Sequence, residues 1–351
     1  MQAKKEYSLF FIFGTILFAG IVLTQGNKPD LDQQSLFDQL QKESITELIL
    51  KTNLEQIIAN ANDVDYGDGK LTFVNGDTYN VVYDIKVKPR GVTRKQICDF
   101  PPLKIKFSKT DLEANGMDGY KTLKLVTHCK EGEDFEQVLL KEYTAYKMYN
   151  VLTEKSFRVQ LVKITYEDAN QEIEPSTHYG FLIENKQELA DRIGAELKEK
   201  DNSILTQIDA NQYRLFTLFQ YMIGNTDWNL SKQHNVKLLI ENEKISPLPV
   251  PYDFDFAGLV NAPYATPYST LPIENVKQRF FQFKGNRNTD FRSTYDLFNA
   301  KKAEIMCLHT DFNLLDEPVK IEMTNYLKAF FDLINEHQVA DEKLSLNGAY
   351  L

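Results

Sequence analysis

Residues 224 to 258 read GNTDWNLSKQHNVKLLIENEKISPLPVPYDFDFAG, and the rest of the chain is understood outward from them. Gly224 follows a long apolar run and suits the left-handed position that ends a helix. A loop with Asp227, Asn229 and Asn235 comes next, then a strand from Val236 to Ile240, the turn ENEK, and a second strand running into Asp253 and Asp255. Asn, Asp and Gly also populate loops for backbone reasons alone. What raises this set above ordinary turn chemistry is its order: carboxylate, amide and carboxylate presented at the two ends of one hairpin. Such oxygens can bind a hard divalent cation and hold a hydroxyl proton within hydrogen-bond reach.

Upstream, EGEDFEQVLLKEYTAYKMYNVL is the clearest helix of the first half. Phe135, Val138, Leu139, Ala145, Tyr146, Tyr149 and Leu152 recur at spacings of three and four. Glu142 falls inside that apolar stripe, where a carboxylate needs a cation or several donors. Around the helix the sequence reads as strands. They are ITELILKTNL, a hairpin turning at Asn75-Gly76 whose second arm aligns Tyr79, Val81, Tyr83, Ile85 and Val87, then PPLKIKF and TLKLVTHC, and finally FRVQLVKITY and YGFLIEN. If PPLKIKF and TLKLVTHC pair antiparallel, their connection centres on residue 114, and Cys98 and Cys129 centre on nearly the same point. A Cys98–Cys129 disulfide with Cys307 free is therefore expected; two unpaired buried thiols are the alternative.

After Lys186 the pattern turns helical. QELADRIGAELKEK reads as a charged surface helix and ANQYRLFTLFQYMIG as a buried one ending at Gly224; two long helices lie within Thr289 to Leu308 and Pro318 to His337. The expected division is residues 1–26 as signal peptide or N-terminal anchor, 27–185 as a strand-rich lobe with one helix, and 186–351 as a mainly helical lobe. Lys4 and Lys5 precede an apolar run from Leu9 to Leu23. That run is short of the ~20 residues of a membrane span and fits a secretion leader. Whether cleaved or kept as an anchor, it places the remainder outside the cytoplasm, where a disulfide is permitted.

The 351 residues carry 40 Lys+Arg against 50 Asp+Glu, a net charge of −10, with no basic run to bind nucleic acid. Five His without zinc spacings and three Cys point away from zinc and towards a cation held by oxygen, Mg²⁺ or Mn²⁺. Membrane contact is expected only through the N-terminal segment, and the chain is expected to be a monomer.

Helix, Asp loop with Asn, hairpin and second Asp is also the order in which protein kinases present their phosphotransfer groups. On Arg90-Gly91, Arg94, Lys95 and PPLKIKF, and on Asn225, Asp227, His234, Asn235 and PYDFD, the chain resembles the CotH (spore-coat) family of atypical secreted kinase-like proteins. Tyr252 stands where that family usually has Trp. The resemblance implies an α+β, bilobal protein-kinase-like fold and ATP-dependent transfer to a protein Ser/Thr hydroxyl with Mg²⁺ or Mn²⁺. It implies Asp227 as catalytic base, Asn235 and Asp253 as metal ligands, and Asp255 as a further metal carboxylate or simply the strand's end. Glu142 would pair the nucleotide-binding Lys. Strand order favours Lys124 for that role, with Lys104 and Lys106 as competitors, and the Arg90 to Lys95 loop would cover the phosphates. Asp227 and Asn235 lie farther apart than in the usual kinase loop, so Asn229 competes for the metal. Trp228 is expected to plug a hydrophobic gap, and LVNAPYATPYSTLP occupies the activation-segment position. Arg279 and Arg287 are candidates for recognising an acidic substrate. The alternatives to a kinase are a non-catalytic surface-binding protein and an enzyme that transfers AMP or another group.

Overall fold

Alternating burial builds the first half of the chain into strands. The computed structural model describes residues 34–347 apart from 42–43, 60–64, 75–80, 200–206 and 286–288; the N-terminal leader, the Asn75-Gly76 turn, Tyr79 and Arg287 lie outside the described residues. In β1 (Thr46–Thr52), Leu48 and Leu50 point to a core while Glu47 and Lys51 face water. β2 (Gly67–Val74) pairs with it, and β3 (Val81–Pro89) buries Tyr83, Ile85 and Val87, the alternate positions of a strand with one wet face. β4 (Leu103–Phe107), β5 (Thr122–Val126), β6 (Val159–Asp168) and β7 (Ser176–Ile183) complete the set.

The strands run β1-β2-β3-β4-β5-β7-β6 and close into a barrel, because β1 also bonds in parallel to β6 from Thr46↔Val162 to Thr52↔Asp168. This overturns the expected bilobal kinase-like fold: the strand-rich part is a closed seven-stranded mixed barrel, accompanied by a separate three-stranded sheet and ten helices among the described residues. The physical reason is that β1 has two usable edges. Its alternation discloses which face is buried but not which distant strand satisfies the second edge, and closure removes the exposed edge altogether. Nor is α5 (Glu133–Leu152) the sole helix of this half. The short α1 (Leu36–Leu40), α2 (Leu54–Ala59), α3 (Arg94–Ile97) and α4 (Lys109–Ala114) precede it. Too short to show a helical period, α1 and α4 are held by side-chain caps from Ser35 and Ser108.

β6 and β7 serve two cores. Val162, Ile164, Tyr166 and Leu182 fill the barrel, whereas Val159, Leu161, Phe181 and Ile183 on their other face pack in the helical core. There α5 lies against both strands and against α8 (Arg292–Thr310). The remaining elements are α6 (Lys186–Arg192), β8 (Ala195–Lys198), α7 (Ala210–Ile223), β9 (Val236–Glu241), β10 (Leu248–Pro251), α9 (Glu317–Asn335) and α10 (His337–Asn347). The expected charged helix over QELADRIGAELKEK stops at Arg192; Gly194 takes φ +61, and the next residues become β8, which joins β9 and β10 in an antiparallel sheet. Among the described residues no helix is long and apolar enough to cross a membrane.

The β4–β5 register, Leu103↔Leu125 through Lys106↔Thr122, carries Cys98 and Cys129 to opposite positions beyond the strands, and they form a disulfide; Cys307 is free and exposed. Phe100 N–H donates to the Cys129 carbonyl at 2.9 Å beside it. The bridge closes a loop over a sequence separation of 31, so replacing both cysteines by serine is expected to lower unfolding stability by about 2–4 kcal/mol. Urea denaturation with and without reductant checks this, since reduced wild type and the double variant should coincide.

Candidate active site

Gly91, at φ +90, lets the chain turn sharply after β3 and deliver Arg94 from α3 inward. Its guanidinium is buried. Nε donates to Asp255 Oδ2 at 2.8 Å, and Nη2 donates to Glu142 Oε2. Burial disfavours the charged form of Arg94, but Asp255 and then Glu142 outweigh it and hold the group charged, well above its ordinary range. The two acids divide that one charge. Burial raises both Glu142 and Asp255 above the usual carboxylate range, against the pull of Arg94 and with Asp253 adding repulsion.

Asp253 completes a cluster in which one carboxylate oxygen each from Glu142, Asp253 and Asp255 lies within 4.8 Å of the others. Asp253 takes φ +68, a left-handed conformation uncommon outside glycine, and its N–H donates to the Tyr146 hydroxyl at 2.8 Å. Tyr146 and Glu142 both project from α5, one turn apart. Glu142 Oε1 is buried with no hydrogen-bond partner. An unpaired buried carboxylate oxygen is costly. It is the atom, together with the Asp253 carboxylate, that a hard cation would satisfy. Three acids against one guanidinium leave excess negative charge, and an all-oxygen donor set suits Mg²⁺ or Mn²⁺.

Asp227 stands on the loop that follows α7. Gly224, φ +66, ends that helix, and its carbonyl accepts the Gly258 N–H at 3.1 Å. A Cβ on Gly258 would lie 2.3 Å from the Val276 carbonyl oxygen, so the close approach of the Val276–Lys277 backbone requires glycine there. Asn225 Oδ1 accepts the Asp227 N–H at 3.0 Å. Asn235 Nδ2 donates to the Asp227 carbonyl at 2.8 Å and to Asp227 Oδ2 at 2.9 Å, while Asp227 Oδ1 meets His234 Nε2 at 3.0 Å. The long Asp227–Asn235 spacing is absorbed by a turn: Asn229 and His234 exchange backbone bonds at 3.0 and 2.9 Å, and Asn229 Oδ1 accepts from Lys232 N–H. Asn229 is thus spent on its own turn, and Asn235 is the amide that meets Asp227. Asn235 also accepts the Tyr252 N–H through its carbonyl at 3.1 Å, which ties it to the residue that directly precedes Asp253.

Cations accompany these acids. Lys124 Nζ lies 4.6 Å from the Tyr252 ring centroid and Lys237 Nζ 5.3 Å from the same ring. Burial, then the charge of Arg90, lowers Lys124 to about 7; Asp253 works in the opposite direction, and Lys237 and Lys104 add to the lowering. Lys104 is its cross-strand partner. The expected Lys124–Glu142 pair does not form: Arg94, from the loop assigned to phosphate covering, takes Glu142 instead. Lys106 is not brought to the site either. It lines a cavity of about 680 Å³ with Lys51, Lys70, Lys86, Asp68 and Asp84, and none of the clustered acids lines that cavity.

Two tyrosines reach the site through contacts that the sequence does not specify. Tyr264 donates to Asp255 Oδ2 at 3.2 Å and Tyr268 to Asp227 Oδ1 at 2.7 Å; the aromatic run had marked their segment but not their targets. Trp228 packs edge-on against Phe216, centroids 4.8 Å apart, as a hydrophobic plug. Arg279 is not presented to a substrate, because it bonds the Tyr221, Met222 and Tyr326 carbonyls. No family model matches the sequence, and no curated protein matches it.

Arg94→Met is expected to cost about 3–5 kcal/mol, since it strands two buried acids. Adding Glu142→Gln and Asp255→Asn should recover most of the loss in urea unfolding. A single-variant loss under about 1 kcal/mol would show that the guanidinium is not what holds these acids.

Proposed function

We propose that the chain is an exported, metal-dependent phosphotransferase that uses ATP and acts on a hydroxyl, with a protein Ser or Thr as acceptor. The observation that carries this reading is the partnerless Glu142 Oε1 within the Glu142, Asp253 and Asp255 cluster, with Lys124 close enough to Asp253 for their charges to interact. The Cys98–Cys129 disulfide is compatible with an extracytoplasmic location, and the motif resemblance to the CotH family points the same way.

Glu142 Oε1, Asp253 and Asp255, with Asn235 alongside, would hold Mg²⁺ or Mn²⁺, which would supply neutralisation of charge on the phosphate oxygens. Lys124 and Arg90 receive the remaining negative charge. The acceptor oxygen forms a bond to the terminal phosphorus as the bond from phosphorus to the bridging oxygen breaks, ADP departs, and the hydroxyl proton passes to Asp227. Arg94 positions Asp255 and Glu142 without touching substrate.

One observation favours the non-catalytic reading. Both Asp227 oxygens are already engaged, Oδ1 by Tyr268 and His234 and Oδ2 by Asn235. On the catalytic reading the acceptor hydroxyl displaces the Tyr268 hydroxyl. On the other, the loop is a closed structural cap and the fold serves to bind a partner.

Asp227→Asn and Asp253→Asn should each lower phosphate transfer by about 100-fold or more with the melting temperature unchanged. Unaltered transfer in both would sink the assignment. Saturating ATP with Mg²⁺ or Mn²⁺ should raise the melting temperature by linkage, and a zero shift favours the binding protein. The intact mass of the product separates phosphoryl from AMP transfer.

Lys124 also gives a pH signature. Its ammonium is lowered to about 7, so below that value it meets phosphate already charged. At higher pH, binding must first recruit a proton, and affinity is expected to fall by up to about tenfold per pH unit. Calorimetric nucleotide titrations between about pH 6 and about pH 9 should show the fall in wild type and a flat profile in Lys124→Arg, whose guanidinium stays charged throughout.

A further inference from the structure

A second group of metal-ligating side chains lies among residues with no part in the acidic cluster. His128 follows β5 by two positions, Glu131 is three residues further on, and His178 comes from β7, the strand paired with β5. The imidazole rings of His128 and His178 stack with centroids 3.6 Å apart and planes 12° from parallel. Their Nε2 atoms lie 3.7 and 3.4 Å from Glu131 Oε1, too far for good hydrogen bonds. One ligand atom from each of the three residues lies within 4.8 Å of the others.

Both rings keep nitrogens that nothing satisfies: His128 Nδ1 and His178 Nε2 are buried without a hydrogen-bond partner. His128 is only 4% exposed, stacked also on Phe100 at 5.2 Å. An imidazole without a proton on one ring nitrogen presents a single lone pair there, in the plane of the ring. His178 Nε2 is both without a hydrogen-bond partner and 3.4 Å from Glu131 Oε1, while His128 offers Nε2 at 3.7 Å and an unpartnered Nδ1; such a set of donors is arranged for an electrophile.

We propose that His128, His178 and Glu131 form a site for a borderline divalent transition-metal ion of the Zn²⁺ or Cu²⁺ type. Two nitrogens and one oxygen suit such ions and not Mg²⁺ or Mn²⁺. His128 supplies a buried ligand and His178 a half-buried one. Glu131, 78% exposed, swings in from solvent as the third, and water completes the coordination. The bound ion ties the end of β5 to β7 next to the Cys98–Cys129 bridge, giving the barrel a second clamp at that place. This inference is independent of the phosphotransfer reading, since no residue is shared between the two sites. The spacing of His along the sequence conceals the site, because β5–β7 pairing brings His178 to His128 from far along the chain.

The test is calorimetric titration of the oxidised full chain with ZnCl₂ in excess Mg²⁺, which keeps the acidic cluster supplied with its own ion. One Zn²⁺ per chain is expected, with affinity weakened at least about tenfold in His178→Ala and in Glu131→Ala. Glu131 is exposed, so its variant folds even where the histidine variant does not. The Cu²⁺-loaded protein should show electron paramagnetic resonance coupling to two nitrogens, reduced to one in His178→Ala. The proposal is overturned if wild type takes up no Zn²⁺, or if Glu131→Ala and His178→Ala bind it as wild type does.

Discussion

Arg94 arrives on a four-residue helix after β3, yet its guanidinium reaches Glu142 on the long α5 and Asp255 beyond β10, three segments with no sequence proximity. Without that buried cation, α5 could not bury its apolar stripe, because Glu142 sits in the middle of the stripe and is fully enclosed. Nor could the residues after β10 fold back with Asp255 inside. A buried ion pair of this kind adds little net stability compared with apolar packing. Its contribution is positional: it fixes where three backbone segments meet, and so where Asp253 and the free oxygen of Glu142 are displayed.

Around that point the two cores divide the labour. The barrel is filled by alternate residues of its strands, and the helical core by the opposite faces of β6 and β7 together with α5, α7, α8 and α9. On one side of the acidic cluster Tyr146 links it to that wall, its ring 5.6 Å from Phe181 of β7 and its hydroxyl accepting the Asp253 N–H. On the other lies a loop system of left-handed residues, Asn235 at φ +51 and Asp253 at φ +68. Conformations of that sort cost about 1–3 kcal/mol each and persist when surrounding contacts dictate them, as the Tyr146 hydroxyl does for Asp253.

Much of this was legible beforehand, for local reasons. The spacing of apolar residues in α5 exposed Glu142 as the misfit of its stripe. Gly224 announced the end of α7, and hairpin symmetry about residue 114 paired Cys98 with Cys129. The closed barrel was not legible, since β1–β6 pairing depends on an edge whose partner no periodicity names. The sequence presents Arg94 as a loop cation, because nothing in RKQI says that its side chain turns inward. The targets of Tyr264 and Tyr268, and the stacking of His128 on His178, arise from chain reversals that only tertiary structure fixes.

The parallel seam between β1 and β6 also bears on the order of assembly. β2 through β5 pair with sequence neighbours, so their hairpins can form as soon as each turn is made. β1 can find β2 early, but its other edge stays bare until β6 has been synthesised, late in the strand-rich region. Closing so long a loop is entropically slow. During that interval the nascent chain carries a strand with one bare edge containing Leu48, Ile49 and Leu50, a template for pairing with another chain. Glu47 and Lys51, charges flanking that apolar triplet, are the residues that oppose such pairing until the seam shuts.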